Sequence, residues 1–247
     1  MKRLFDVVAA AGGLLVLGPL LVLTALLIWL QDYRSPFYVA DRTGVNGRPY
    51  RMVKFRSMVV RADATGVDST AANDPRITPL GRFIRRFKLD ELPQLWNVLK
   101  GEMSLVGPRP NVKRETDIYT VEERRLLSVR PGITDLASIV FSDEGDILKG
   151  SDDPDLKYNQ VIRPWKSRLG LLYVDHAGPI GLDLRLILLT VWSAVHRPAA
   201  LEAVAALART LGADEELVQV ARRREPLRAA PPPGARHVVQ NREAVPT

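Results

Sequence analysis

Hydrophobic residues are unevenly spread along the chain. Val7 to Leu30 is almost unbroken hydrocarbon, about 36 Å as a helix at roughly 1.5 Å per residue, enough to cross a bilayer core of about 30 Å. Beyond it the pattern shortens. Phe37–Ala40 and Tyr50–Phe55 read as strands, with turn chemistry between them at Gly44–Pro49, and so predict a small hairpin. Arg61 to Pro79 is polar and reads as a mobile surface loop, and a short helix follows over Pro79–Phe87. Leu92, Leu95, Trp96 and Leu99 fall on one helical face, which stops at Lys100-Gly101. A charged helix is predicted for Thr120–Ser128, an apolar stretch for Ile133–Phe141, an acidic loop for Ser142–Asp155 and a short helix for Asp155–Trp165. Leu182–Val195 is apolar but too short to span, which predicts a core or interfacial helix. One Ala/Leu/Arg helix is expected over Ala199–Arg224, then a disordered tail over 225–247 around Pro231-Pro232-Pro233.

The N-terminal run has competing readings. A signal peptide has a shorter apolar region and a small-x-small cleavage site, which does not follow here. A straight spanning helix fits the length. A bent helix that enters and leaves on one face fits two further details. Pro19 lacks an N–H, and its ring clashes with the Leu15 carbonyl, so Gly18-Pro19 marks a kink near the midpoint. Basic residues flank both ends, Lys2 and Arg3 before, Arg34 and Arg42 after, and the positive-inside tendency puts both ends in the cytoplasm.

Across 247 residues, 35 Lys and Arg against 28 Asp and Glu leave a net charge of +7. That balance suits nucleic acid, anionic lipid or phosphorylated small molecules. The apolar run favours the last two, and no nucleic-acid partner is expected. With no cysteine, disulfides, thiolate catalysis and Cys-ligated metal are excluded. The three histidines, His176, His196 and His237, lack ligand spacing.

The chemistry concentrates at Leu89-Asp90-Glu91-Leu92-Pro93-Gln94-Leu95, behind the basic and aromatic run Arg82 to Lys88. In that run Phe83, Ile84 and Phe87 suit the headgroup boundary, and Arg82, Arg85, Arg86 and Lys88 suit lipid phosphates or substrate; an ordinary solvated basic face is the plainer alternative. Asp90 is also a good N-cap for the helix that Pro93 announces, and Glu91 would be favoured by the helix dipole. Against those plain roles stands the company the pair keeps. Adjacent carboxylates repel unless cations neutralise them. Arg85 lies upstream, and Arg109 sits between Pro108 and Pro110. A helix N-terminus, arginines and a carboxylate-held Mg²⁺ describe a diphosphate site, and carboxylates can attack phosphorus.

Lys54-Phe55-Arg56-Ser57-Met58, Asp74-Pro75-Arg76-Ile77-Thr78, Leu89 to Val98 and Met103 to Pro110 occur in this order. Together they resemble the bacterial sugar transferase family, the monotopic phosphoglycosyl transferases, over roughly residues 2 to 195. The resemblance implies an α-rich α/β fold. A re-entrant membrane helix (1–34) would precede a small hairpin and a compact helical catalytic domain (35–197) with interfacial amphipathic helices; residues 198–247 would add a C-terminal helix and tail. It further implies transfer of a sugar-1-phosphate from a UDP-sugar to polyprenol (undecaprenyl) phosphate, with release of UMP. That would occur at the cytoplasmic face of the bacterial inner membrane, at the start of surface polysaccharide or glycoconjugate assembly. Carried over by motif, Asp90 matches the nucleophile, Glu91 its partner linked to Mg²⁺, and Arg85 and Arg109 phosphate-binding arginines. A homodimer is the further partner considered.

Two departures stand out. Gly18 occupies a position that is often Ser in the family, and Pro131-Gly132-Ile133-Thr134 is followed by Asp135 where many members have Gly. Two other readings compete: a membrane glycosyltransferase that moves the sugar alone and releases UDP, and a membrane-anchored scaffold without activity.

Overall fold

A computed structural model describes residues 1–62 and 69–241. One long helix, α1 (Lys2–Asp32), precedes an antiparallel hairpin of β1 (Phe37–Thr43) and β2 (Pro49–Phe55), with Phe37 opposite Phe55 and Thr43 opposite Pro49. Helices α2 (Pro79–Arg86) and α3 (Gln94–Lys100) follow, then a parallel pair, β3 (Ser104–Val106) and β4 (Gly132–Thr134), with the short α4 (Lys113–Asp117) between them in sequence. The rest is helical: α5 (Leu136–Val140), α6 (Glu144–Leu148), α7 (Pro154–Lys157), α8 (Arg163–Asp175), α9 (Ile180–Val195), α10 (Arg197–Thr210) and α11 (Glu215–Arg222). The chain is helix-rich with small sheets, as its pattern implies.

α1 is long and apolar enough to cross a membrane, yet it lies against the rest of the protein from end to end. Lys2 Nζ meets Asp183 at 2.5 Å, Arg3 donates to the carbonyls of Val98 and Leu99, and Asp6 accepts from Ser104 Oγ and the Leu105 N–H. Ala10, Leu14 and Leu17 pack on Leu95, Val98 and Met103, and Leu21, Ala25 and Ile28 pack on Phe55 and Ile84. At the far end Asp32 takes two hydrogen bonds from Arg56, at 2.5 and 2.6 Å. The other face of α1, including Leu4, Val8, Leu15, Val16, Val22, Leu26 and Leu30, is bare apolar surface. The helix runs continuously through Gly18 and Pro19, and a Cβ at Gly18 would meet open space.

The parallel pair, unforeseen from sequence, depends on two glycines that meet face to face. A Cβ on Gly107 would lie 2.3 Å from the Arg130 carbonyl, and one on Gly132 would lie 2.1 Å from the Gly107 nitrogen. No side chain fits either position. Gly107 N donates to Thr134 O and Gly132 N to Pro108 O, both at 3.0 Å, which fixes the backbone just before Arg109.

Several expectations change once packing is seen. Ile84, assigned to the headgroup boundary, is buried against Ile28 and Phe55, whereas Phe83 and Phe87 are exposed. Of the expected stripe Leu92, Leu95, Trp96 and Leu99, only Trp96 is exposed; α3 turns Leu95, Asn97 and Val98 inward, with Leu92 and Leu99 half-buried. Residues Glu123–Ser128 form a 3-10 turn rather than an α-helix. The predicted helix ending at Trp165 continues to Asp175, through a π-helical segment at Tyr158–Ile162 just before Pro164. Gly212, at φ +88°, ends α10 and splits the expected single C-terminal helix into α10 and α11. Both pack into the main core with α5, α8 and α9. Residues 225–241, expected to be disordered, lie on the core with Ala230 and Val239 buried. Of the expected loop 61–79, residues 63–68 lie outside the described residues; Ser69 N and Ala72 N are held by Asp155 Oδ1 and Gly145 O.

Candidate active site

Asp90 and Glu91 sit in a 3-10 turn, Leu89–Glu91, between α2 and α3. Lys88 enters that turn with φ +57°, a left-handed conformation that non-glycine residues adopt at a cost and that reverses the chain sharply after α2. Leu89 anchors the turn in the cluster with Ile28, Phe55 and Ile84. The N-cap of α3 is Pro93, so Asp90 does not cap this helix. The plain structural role offered for Asp90 is therefore absent.

Both carboxylates are buried, at 9% and 8% exposure. Glu91 Oε1 accepts from Lys54 Nζ at 3.0 Å and from Arg109 at 2.8 Å. Asp90 accepts no hydrogen bond from any described residue. Burial raises the Asp90 pKa, aided by the adjacent Glu91, while Lys54, Arg85 and Lys88 pull it back. Burial also pushes Glu91 up, but Arg109 and Lys54 beside it win and hold its carboxyl well below the usual range. Burial lowers the Lys54 pKa against the pull of Glu91. Glu91 is thus the permanent anion of the pair. Asp90 is the more basic carboxylate, and basicity makes its oxygen the better nucleophile once ionised.

The scaffold explains these positions. Asn97, fully buried on α3, accepts from Val53 N at 3.0 Å and donates to Arg51 O and Glu102 Oε2 at 2.7 Å. This clamp holds β2 to α3 and sets Lys54 over Glu91. Arg109 follows the Gly107–Gly132 crossing, and its side chain remains 37% exposed, available to a ligand. Arg85, in the last turn of α2, makes no ion pair among the described residues, and its charge is felt at Asp90 and Asp74. The structure therefore gathers Asp90, Glu91 and Arg109, with Arg85 acting through space. Gly18 and Pro19 lie within α1, where a Cβ on Gly18 would reach none of these residues. Lys54 and Asn97 were not nominated from sequence, although both lie in the quoted motifs; a lysine in a strand and an asparagine in a helix carry no local signal of function.

Beside Arg109 lies a small cleft with about 30 Å³ of room. Asn111, Tyr119, Asp135, Tyr158, Arg163, Lys166 and Ser167 line it. Lys166 pairs with Glu144, and that pairing, with Arg109 nearby, holds Glu144 low against its burial. Asp135, the departure noted after Thr134, caps α5 through Oδ1, which accepts from Ser138 N at 2.7 Å and Ser138 Oγ at 2.6 Å. Burial raises its pKa. No group of three or more His, Cys, Asp or Glu among the described residues could hold a metal. Two carboxylates, one without a partner and one with a free oxygen, fit only an ion whose remaining ligands are phosphate and water oxygens, the habit of Mg²⁺.

The sequence model described as bacterial sugar transferase matches residues 1–197. The chain belongs to the bacterial sugar transferase family. The undecaprenyl-phosphate glucose phosphotransferase of Komagataeibacter xylinus is 38% identical over 206 residues, 77% of this chain and 35% of that protein. The UDP-glucose:undecaprenyl-phosphate glucose-1-phosphate transferase of Caulobacter vibrioides is 37% identical over 172 residues, 67% of this chain and 64% of that protein. An uncharacterized sugar transferase of Bacillus subtilis, EpsL, is 36% identical over 191 residues and is matched over 85% of its length. The chain thus spans only about a third of the first relative and under two thirds of the second.

Proposed function

We propose that this sugar transferase moves a sugar-1-phosphate from a UDP-sugar to polyprenol phosphate, through a phosphosugar ester on Asp90. The observation that carries the reading is the buried Asp90 carboxylate, without a hydrogen bond among the described residues and raised in pKa, beside a Glu91 that Lys54 and Arg109 keep ionised. Names of family relatives, which specify undecaprenyl phosphate and UDP-glucose, support the choice of substrates. Asp90 Oδ attacks the β-phosphorus; the new O–P bond forms as the bond to the bridging oxygen breaks, and UMP leaves with that oxygen. A phosphate oxygen of the polyprenol phosphate then attacks the same phosphorus and frees Asp90. Arg109 and Arg85 balance the phosphate charge, and Lys54 keeps Glu91 aligned. The exposed side of Arg109, next to Glu91, receives the donor phosphates. Asp90 and Glu91 would hold Mg²⁺ together with the donor phosphates, and such an ion stabilises the leaving phosphate charge.

The bare face of α1 would lie in lipid, and both of its ends bind the same catalytic unit, through Lys2–Asp183 and Asp32–Arg56. This supports a monotopic anchor on the cytoplasmic face of the inner membrane, with entry and exit on one side. Exposed Leu184, Leu188, Val191, Trp192 and Val195 form one face of α9 and would rest in the interface. The site turn packs on α1 through Leu89, so the lipid acceptor would reach Asp90 from the membrane side.

The deciding experiment incubates membranes with β-phosphate-labelled UDP-sugars and undecaprenyl phosphate, and follows the nucleotide released and the label on protein. UMP with an acid-stable trace of label on Asp90 supports the reading. Release of UDP would assign simple glycosyl transfer instead.

A further inference from the structure

The first two turns of α1 carry three charged side chains, Lys2, Arg3 and Asp6, and all three are committed to the protein. Arg3 caps the end of α3, donating to Val98 O at 2.6 Å and to Leu99 O at 2.9 Å. Asp6, 1% exposed, accepts from Leu105 N at 3.1 Å and from the Ser104 hydroxyl at 2.9 Å. Lys2 Nζ donates to Val106 O at 3.1 Å and to Asp183 at 2.5 Å. Tyr173 OH reaches the same Val106 carbonyl at 3.1 Å and donates to Asp183 at 2.8 Å.

Ser104, Leu105 and Val106 are the whole of β3, which pairs with β4 alone. A two-stranded sheet leaves backbone polar groups over at its outer edges, and buried ones need partners. Asp6 and Lys2 supply them from α1. Between β3 and Arg109 stand only two residues, Gly107, whose N–H is tied to Thr134 O at 3.0 Å, and Pro108, whose ring fixes φ. A shift of β3 therefore reaches Arg109 with little slack.

We propose that the first two turns of α1 are a clamp that positions Arg109 for the donor phosphates, with Asp6 and Lys2 as positioning residues acting through β3. The proposal rests on Arg109 holding those phosphates. The same helix bears the bare apolar face, so the anchor and the phosphate-binding loop are one mechanical unit.

The test is a double-substitution cycle on the full-length chain in membranes, with donor kcat/KM read from nucleotide released. Asp6→Ala should lower it about tenfold, the weight of one to two lost hydrogen bonds. Ser104→Ala and Lys2→Met, which leave Asp6 on Leu105, should lower it about threefold. Asp6→Asn keeps an acceptor for Leu105 N and should stay within about twofold of wild type. In an Arg109→Gln background each loss should shrink below about twofold, because the residue being positioned is gone. Equal losses with and without Arg109 would show that the clamp serves something else and overturn the proposal. So would an unchanged donor kcat/KM, or losses that match the fall in folded or membrane-bound protein. Ser104→Ala, which removes one hydroxyl, decides the matter where Asp6→Ala does not fold. Failure of the proposed reaction reads out separately, as UDP from the wild type, and leaves the cycle legible because either nucleotide is counted.

Discussion

Among the described residues, the buried acid clusters around Glu123 and around Asp90 are finished to different degrees. Around Glu123 and Arg163, at 0% and 1% exposure, every demand is met. Arg163 donates to both Glu123 oxygens, to Asn159 Oδ1 and to Ile118 O, and Glu123 also accepts from Ser167 Oγ and Thr120 N. Around Asp90 and Glu91 the network stops halfway. Glu91 has two cations, Asp90 has no hydrogen-bond partner among the described residues, and Arg109 stays open to solvent. A satisfied cluster stabilises the fold, and an unsatisfied one holds desolvated charge ready for a ligand.

Substitution should separate the clusters cleanly. Asp90→Asn should abolish turnover and protein labelling, a loss of about 10⁴-fold or more by analogy with removed nucleophiles, with membrane association and melting temperature kept. Because the folded-state Asp90 pKa is raised, its charged form opposes folding at neutral pH, so the neutral amide should leave stability unchanged or higher. Glu123→Gln should do the reverse. It strands the Arg163 charge in the core, which costs about 3–5 kcal/mol, and any loss of activity should follow loss of folded protein in a thermal melt. A catalytic defect in stable Glu123→Gln, or a collapsed Asp90→Asn, would erase the contrast. Arg109→Gln should lower kcat/KM by about 10²-fold, through weaker phosphate charge balance, measured with the best UDP-sugar.

Acidity provides a finer test. Activity needs ionised Asp90, so its raised pKa places the acid limb of kcat/KM above the ordinary aspartate range, with activity lost as pH falls through it. Arg85 favours the ionised form, so Arg85→Gln should move that limb to higher pH. A limb that stays put would detach Arg85 from the site. The smallest effect concerns the anchor. Reporters before Lys2 and after Arg34 should both read cytoplasmic while activity is unchanged, and opposite readings would make α1 a simple span.

How much of this was legible depends on range along the chain. The long apolar helix, the hairpin and the Asp90–Glu91 pair with Arg109 could be read directly, because hydrocarbon runs, turn residues and adjacent carboxylates announce themselves within a few positions. The burial of Ile84 and the exposure of Trp96 could not, since which face of a short helix turns inward is chosen by neighbours, here α1 and β2. Nor could the order of residues 225–241: a proline-rich segment looks unable to fold, yet it finds a carbonyl that Pro164 left without a donor.

Sequence alone determined the family, the long apolar helix and the grouping of Asp90 and Glu91 with Arg109. Only the tertiary structure decided that Glu91, not Asp90, receives Lys54 and Arg109, and that Asp90 is left bare in a turn rather than spent on a helix cap. The reason is physical: ionisation and nucleophilicity are set by desolvation and by charges a few ångströms away, and those neighbours come from β2 and from the loop after β3, distant in the chain.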